Sequence, residues 1–360
     1  MCTIAGYAGT RRAAPILIEM MAKEEFMDSG LSTGIATVCD GKLYTAKVTG
    51  SLEKLLRETD AANFPGSVGI IHSRTAGNLV SHAHPFTSED GDLAMVLNGT
   101  MREVKCPGFE SASNSIMKSF FERGFTIKSA CEMESAPSYR RLPNGMAYHD
   151  SEPYALMIGD EVHGVPEETI RPALIDATFH ALTRMPADVI MLSVHAKAPD
   201  TITIGTVTRP MSFAHTDGES FLATCAIALP EEASKNNVVF LPPTSVSQVS
   251  SRGLFIASQT IPGVRVEAPD YRVAAKIYER MEAILKERPM GVPEFPVWTD
   301  WRDVWQKPYV DCRFANPEGL LKPYASILYE ALYAFHREGR LREEMGLDKN
   351  GNRLKRFYLV

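Results

Sequence analysis

The chain has 360 residues, 44% hydrophobic and 23% charged, which is enough for a sizeable core in one large domain or two or three ordinary ones. A formal net charge of -6 argues against a general phosphate-backbone binder, and no run approaches the roughly 20 apolar residues of a membrane-spanning helix. Neither nucleic acid nor a membrane is expected as a partner. Six cysteines, at 2, 39, 106, 131, 225 and 312, are too far apart for a C-x-x-C pair and too sparse for a disulfide scaffold, so reduced thiols in a cytoplasmic protein fit best. Arg11, Arg12 and Glu19 interrupt the first apolar stretch, and no signal peptide is expected.

In chain order, Thr3 to Ala8, Thr33 to Cys39, Leu43 to Val48, Val68 to His72 and Leu93 to Leu97 are short apolar and β-branched runs, read as strands. Helical spacing marks Ile16 to Phe26 and Ser113 to Phe121. From Glu110 to about Gly164 the pattern otherwise loosens, with Pro137, Pro143 and Gly145 pointing to an irregular connection before Asp150. Ile170 to Arg184 is helical again. Strands follow at Val189 to Val194, Thr201 to Val207, Phe221 to Ala226 and Val238 to Leu241, with hairpin turns at Pro199-Asp200 and Asp217-Gly218.

Composition shifts near Pro269. From Asp270 onward, 16 Lys or Arg face 14 Asp or Glu, and this part holds all three tryptophans and seven of the twelve tyrosines. Apolar residues at Val273, Ile277, Met281 and Leu285, and from Leu320 to Phe335, recur at helical spacing. The division expected is residues 1–267 as one layered α+β domain and 268–360 as a mainly helical extension. Trp298, Trp301 and Trp305 share a face if helical and are read as core packing, and the late Lys and Arg residues as a solvated helix face.

Chemistry starts at Cys2. Removal of Met1 leaves a thiol and a free α-amine on one residue, with ordinary pKa values of about 8.5 and about 7.7–8.0, so the amine can take the thiol proton near neutral pH. A structural cysteine after the initiator is the bland alternative. Three segments carry more weight together: Met1-Cys2-Thr3-Ile4-Ala5-Gly6-Tyr7-Ala8-Gly9; Gly69-Ile70-Ile71-His72-Ser73-Arg74; and Ala83-His84-Pro85-Phe86 followed by Leu93 to Gly99. In order and spacing they resemble the glutaminase domain of class II glutamine amidotransferases, of the N-terminal-nucleophile hydrolase type, and within it the glucosamine-6-phosphate synthase family. The likeness is clear over residues 1–105, with Phe221-Leu222-Ala223-Thr224 a weaker echo.

The resemblance implies a four-layer αββα N-terminal-nucleophile hydrolase fold in which Cys2 forms a glutamyl thioester and ammonia is released. It implies oxyanion donors at the Asn98 side chain and the Gly99 backbone N–H, although Asn-Gly is also a strong hairpin signal. Arg74 would grip the α-carboxylate of glutamine, or else form a surface salt bridge. Asp150, in Asp150-Ser151-Glu152, would meet the α-ammonium, or else cap a helix. His82 and His84, alternating on a strand, lack a third ligand and are read as structural, as is His72, so neither a metal nor a cofactor is expected.

The sequence departs from the family pattern at Thr3, where Gly is usual; at Thr75, where an aromatic residue is usual; and at Gly77-Asn78, where Thr-His is usual. The family's Arg-bearing stretch survives only as Asp28-Ser29 and Ser32-Thr33-Gly34-Ile35-Ala36. A tail of this length cannot hold the synthase's two sugar isomerase domains, so aminosugar synthesis does not carry over. Three readings follow: a glutaminase that hands ammonia to a separate acceptor protein or domain, an N-terminal-nucleophile amidase acting on another amide, and a binding or regulatory protein on the same fold. The acceptor and any homo-oligomeric assembly stay open.

Overall fold

The computed structural model describes residues 2–77, 79–101, 106, 108–132, 140–235, 237–258, 260–262, 264–266, 271–295, 320–321 and 324–360. Trp298, Trp301, Trp305 and Cys312 lie outside these residues, as does the 267/268 boundary.

The first strand, β1 (Thr3–Ala8), shows the construction. Successive side chains point to opposite faces, so Ile4 and Ala8 face one way and Ala5 and Tyr7 the other. All four are fully buried, which is why the run lacks a polar alternation. Seven antiparallel strands form the first sheet: β1, β2 (Ser32–Cys39), β3 (Lys42–Val48), β4 (Val68–Arg74), Ser212–Thr216, Glu219–Ala223 and Val239–Phe240. β1 lies between β4 and Glu219–Ala223, and β2 pairs with the far side of β4. The second sheet has six: β5 (Phe86–Thr87), β6 (Leu93–Thr100), Asp188–His195, Thr201–Thr206, Ser245–Ser250 and Gly253–Ser258.

Ile4, Ala36 and Ile70 of the first sheet pack against Val96, Leu192 and Ile202 of the second. On the outer side of the first sheet, Leu17 and Met20 of α1 (Ala13–Glu24) and Leu55 of α2 (Leu52–Glu58) join Ala5, Tyr7 and Ile71. On the outer side of the second, Phe109 of α3 (Phe109–Glu122), Tyr154 of α4 (Glu152–Val162) and Leu174 of α5 (Ile170–Arg184) join Leu93, Met95 and Leu97. Each such large apolar side chain contributes about 1.5–3 kcal/mol by burial.

Two local differences from expectation have physical causes. α4 lies just after the irregular connection expected before Asp150, in a segment whose sequence pattern is loose up to about Gly164. Nine of its eleven residues are buried, so it lacks the polar stripe that would reveal a helical period. Its Gly159 is required by close approach, since a Cβ there would lie 2.2 Å from the Ser88 Cβ. His82 and His84 do not alternate on a strand: His82 closes a short 3-10 turn, Val80–His82, and His84 follows in the loop before β5. The Asp217-Gly218 turn has positive φ at both residues, 47° and 75°, the geometry that lets a two-residue loop follow the strand twist.

In the C-terminal part, helices Tyr271–Glu287 and Tyr324–Arg337 accompany a three-stranded sheet of Met290–Gly291, Leu341–Leu347 and Arg353–Leu359. The two long strands escaped the helix-based reading because Leu341–Leu347 has mostly exposed residues and little apolar alternation. This part shares a core with the first: Ile277, Met281, Leu332 and Phe357 cluster with Met27 and Cys225. The Lys355 backbone N–H donates to Phe26 O at 2.7 Å, and its Nζ donates to Lys23 O at 2.5 Å.

Candidate active site

Cys2 immediately precedes β1. Antiparallel pairing sets Thr3 opposite Ser73 and Ile4 opposite His72. Continuing that register brings Cys2 beside Arg74 and diagonal to His72. By the same alternation, Cys2 follows the inward face of Ile4, His72 and Arg74 follow Ile70, and Asn98 of β6 follows Val96. The polar residues thus occupy one end of the intersheet space. Contacts bear this out: Asn98 Nδ2 donates to Cys2 O at 2.8 Å, and His72 Nε2 meets Leu97 O at 3.2 Å across the sheets. Cys2 Sγ lies 3.9 Å from Thr75 Oγ1, and Arg74 Nη1 donates to His82 O at 3.1 Å.

Asn98 and Gly99 are not a hairpin turn. Both lie inside β6, opposite Ile190 and Val189. A Cβ at Gly99 would come within 2.5 Å of Val189 Cγ1 and 2.6 Å of Asp188 O, so the neighbouring strand demands glycine there. Gly34, in the remnant Ser32-Ala36 stretch, sits opposite His72. A Cβ on it would lie 2.2 Å from His84 O, so β2 is bared where the His84 loop crosses.

Electrostatics mark the thiol. Burial pushes the Cys2 pKa up, but the hydrogen bond and charge of His72, the positive amino terminus and the Thr75 backbone N–H outweigh it, and the thiol is lowered to about 6. Behind it, the His72 and His84 rings stand 4.0 Å apart, and His149 stacks on Phe86 at 5.0 Å. Burial, aided by neighbouring positive charge, holds His82, His84 and His149 below the ordinary histidine value. Lys47 clamps the loop, its Nζ donating to Ala83 O at 2.9 Å and Pro85 O at 3.2 Å, and burial lowers it to about 8.

Asp150 does not cap α4. The N-cap is Ser151, without a side-chain cap bond, and Asp150 pairs with Arg140. That guanidinium also donates to Met101 O at 3.0 Å and lies over the Phe109 ring at 4.5 Å. Burial raises the Asp150 carboxyl pKa against the charge of Arg140, and the Arg74 charge reaches it as well. Among the described residues, no three His, Cys, Asp or Glu gather as a metal site.

The departures find local explanations. Thr3 Oγ1 bonds Ser29 Oγ at 2.9 Å on the outer face, away from the thiol. Thr75 stands beside Cys2 where the family carries an aromatic residue. A Cβ at Gly77 would lie 1.9 Å from Leu31 O, so the small residue is dictated by close backbone approach; Asn78 lies outside the described residues. Lys47, Arg140 and His149 were missed from sequence. Each is one ordinary polar residue among many, and only the folded neighbourhood distinguishes it. Tyr329 of the C-terminal part is fully buried, with the charges of Cys225, Glu24, Arg209 and Cys2 acting on it, so that part packs near the same end of the sheets.

No protein-family model matches the chain. Curated proteins similar to it include glutamine–fructose-6-phosphate aminotransferase (isomerizing) of Pyrococcus horikoshii, 30% identical over 137 residues, covering 37% of this chain and 21% of that protein. The protein of the same name from Thermus thermophilus is 26% identical over 313 residues, covering 86% and 43%. Among solved structures, the glutamine phosphoribosylpyrophosphate amidotransferase from B. subtilis aligns with a TM-score of 0.54 at 15% identity, over 84% of this chain and 64% of that one. The chain resembles the class II glutamine amidotransferases. The solved structures show the shared fold alone, a mixed α/β arrangement. The chain spans less than half the length of the curated relatives it matches.

Proposed function

We propose that the chain is a glutamine amidotransferase-type amidohydrolase on a four-layer αββα domain, with residues 268–360 as an extension packed on it. Cys2 Sγ attacks the side-chain carbonyl carbon of glutamine and a C–S bond forms. The C–N bond then breaks, the nitrogen leaves as ammonia, and water hydrolyses the glutamyl thioester to glutamate and free thiol. Asn98 Nδ2 and the Gly99 N–H stabilise the oxyanion. Arg74 holds the α-carboxylate and Asp150 the α-ammonium. Ammonia passes to an acceptor protein or domain.

The observation that carries this reading is the Asn98 amide at 2.8 Å from the carbonyl of Cys2, which sets a preorganised donor beside the lowered thiol. Its test is ammonia release from glutamine by wild type and Cys2→Ala, with intact mass recording the state of Met1. Ammonia release by wild type that is absent in Cys2→Ala supports the reading.

A second reading, amidase action on another amide, is favoured by one observation: Arg140 already pairs with Asp150, the group meant for an ammonium. Acylation of Cys2 by simple amides, without turnover of glutamine, would decide for it.

A further inference from the structure

We propose that Arg209 and Asp188 are positioning residues: their buried ion pair fixes the end of β6 so that the Asn98 amide and the Gly99 N–H keep their aim at the carbonyl that Cys2 attacks. This rests on the reading of Asn98 and Gly99 as oxyanion donors. In an antiparallel pair, hydrogen-bonded and non-hydrogen-bonded positions alternate, so successive residues turn their N–H and C=O to opposite sides of the strand. Val189, opposite Gly99, accepts the Val207 N–H at 2.8 Å and donates its own N–H to Ala187 O at 3.1 Å. Neither group turns to β6. Every second residue of β6 likewise faces away from Asp188–His195: Leu93 O accepts the Ser88 N–H at 3.0 Å, and Leu97 O meets His72 Nε2. Gly99 continues that series. Its N–H therefore points out of the ladder, on the side where β5 pairs only with Ala94 and Met95.

A donor outside the ladder takes its aim from whatever holds the strand behind it. Asp188 is placed to do this. It stands opposite Thr100 and two residues before Ile190, the partner of Asn98, so by alternation its side chain follows the same inward face as the Asn98 amide. Its carbonyl oxygen lies 2.6 Å from where a Gly99 Cβ would stand, a direct backbone approach to the glycine.

Arg209 grips Asp188 at two points. Its Nε donates to Asp188 O at 3.2 Å, and its Nη2 stands 2.9 Å from Asp188 Oδ2. Thr208 Oγ1 donates to the other carboxylate oxygen. Asp188 is 1% exposed and Arg209 8%, so the fork of the guanidinium fixes main chain and side chain of one residue away from water. A buried ion pair adds little net stability over an apolar pair of the same size. What this one adds is geometry at Gly99, and fixed geometry is what an oxyanion donor needs.

The test compares wild type with Arg209→Lys, which keeps a positive charge beside Asp188 but lacks the Nε–H, and with Arg209→Met, which removes both. Three rates are measured on the full chain: ammonia release from glutamine, acylation of Cys2 by p-nitrophenyl acetate, and alkylation of Cys2 by iodoacetamide. Acylation passes through an oxyanion, whereas alkylation at a saturated carbon does not. In Arg209→Met, acylation and kcat are expected to fall roughly 10²-fold, the cost of a misplaced group, with KM and alkylation unchanged and Arg209→Lys intermediate. A merely structural role would slow acylation and alkylation together. That result, or unchanged acylation in the folded variants, overturns the proposal. Should Arg209→Met not fold, Arg209→Lys decides by the same comparison.

The ester keeps this test separate from the glutamine reading. Selective loss of acylation in a protein that releases no ammonia from glutamine removes the amidotransferase reading and leaves the Arg209–Asp188 assignment standing. Glutamine turnover that is equal in wild type and variants does the reverse. A wild-type Cys2 that accepts no acyl group overturns both.

Discussion

The two ends of the candidate site are built differently. Cys2, His72, Arg74 and Asn98 sit on or beside β1, β4 and β6, where register and alternation position each side chain. Asp150 sits in a turn, held by a guanidinium from the short strand Arg140–Arg141. A group on a paired strand inherits its position from the whole sheet, whereas one on a turn depends on a single partner. The Cys2 end is accordingly a matter of fold, and the Asp150 end a matter of one ion pair.

Four experiments break or sharpen this contrast. Cys2→Ala should lower ammonia release by at least ~10³-fold and leave the thermal midpoint nearly unchanged, because the contact of its sulfur to Thr75 Oγ1 is long, 3.9 Å. Asn98→Ala should reduce kcat by roughly 10²–10³, the loss typical of one oxyanion donor, with a smaller change in KM. At the other end, Arg140→Met strands a mostly buried carboxylate. Urea denaturation should show a loss of about 3 kcal/mol, together with a change in glutamine KM as Asp150 is released.

The smallest effect concerns acid. His84 is fully buried and held below its ordinary value by burial, so it stays neutral in the fold while the unfolded chain takes up a proton as pH falls below about 6.5. Its contribution is intact above that pH and is lost on acidification. His84→Phe should therefore flatten the decline of unfolding free energy between pH 6.5 and 5 by up to about 1.4 kcal/mol per pH unit. Buried Glu24, raised well above 4.5, acts in the opposite direction and is common to both proteins, so the difference isolates His84. An equal slope in the two proteins would show that this imidazole is charged in the fold.

Much of the site was legible because strands buried on both faces leave compact apolar runs. Thr3 to Ala8, Val68 to His72 and Leu93 to Leu97 are recognisable as such, and the candidate residues stand at or just beyond their ends. Local sequence left other things undetermined. Asn98-Gly99 reads equally as a turn or as strand, and pairing with Asp188–His195 decides it. α4 hides because nine of its eleven residues are buried, which removes the polar face that periodicity detects.

Residue types, their order and the alternation of strands were therefore settled by the chain itself, since these depend on neighbours one to four positions away. Tertiary structure alone decided that Arg140 would take Asp150, that Lys47 would clamp the His84 loop, and that His72 would meet Leu97 across the sheets. These partners are separated by 10, 36 and 25 positions. Hydrogen bonds and charges act through space, over a few ångströms, and no local pattern in the sequence records which distant residues the packed sheets will bring within that range.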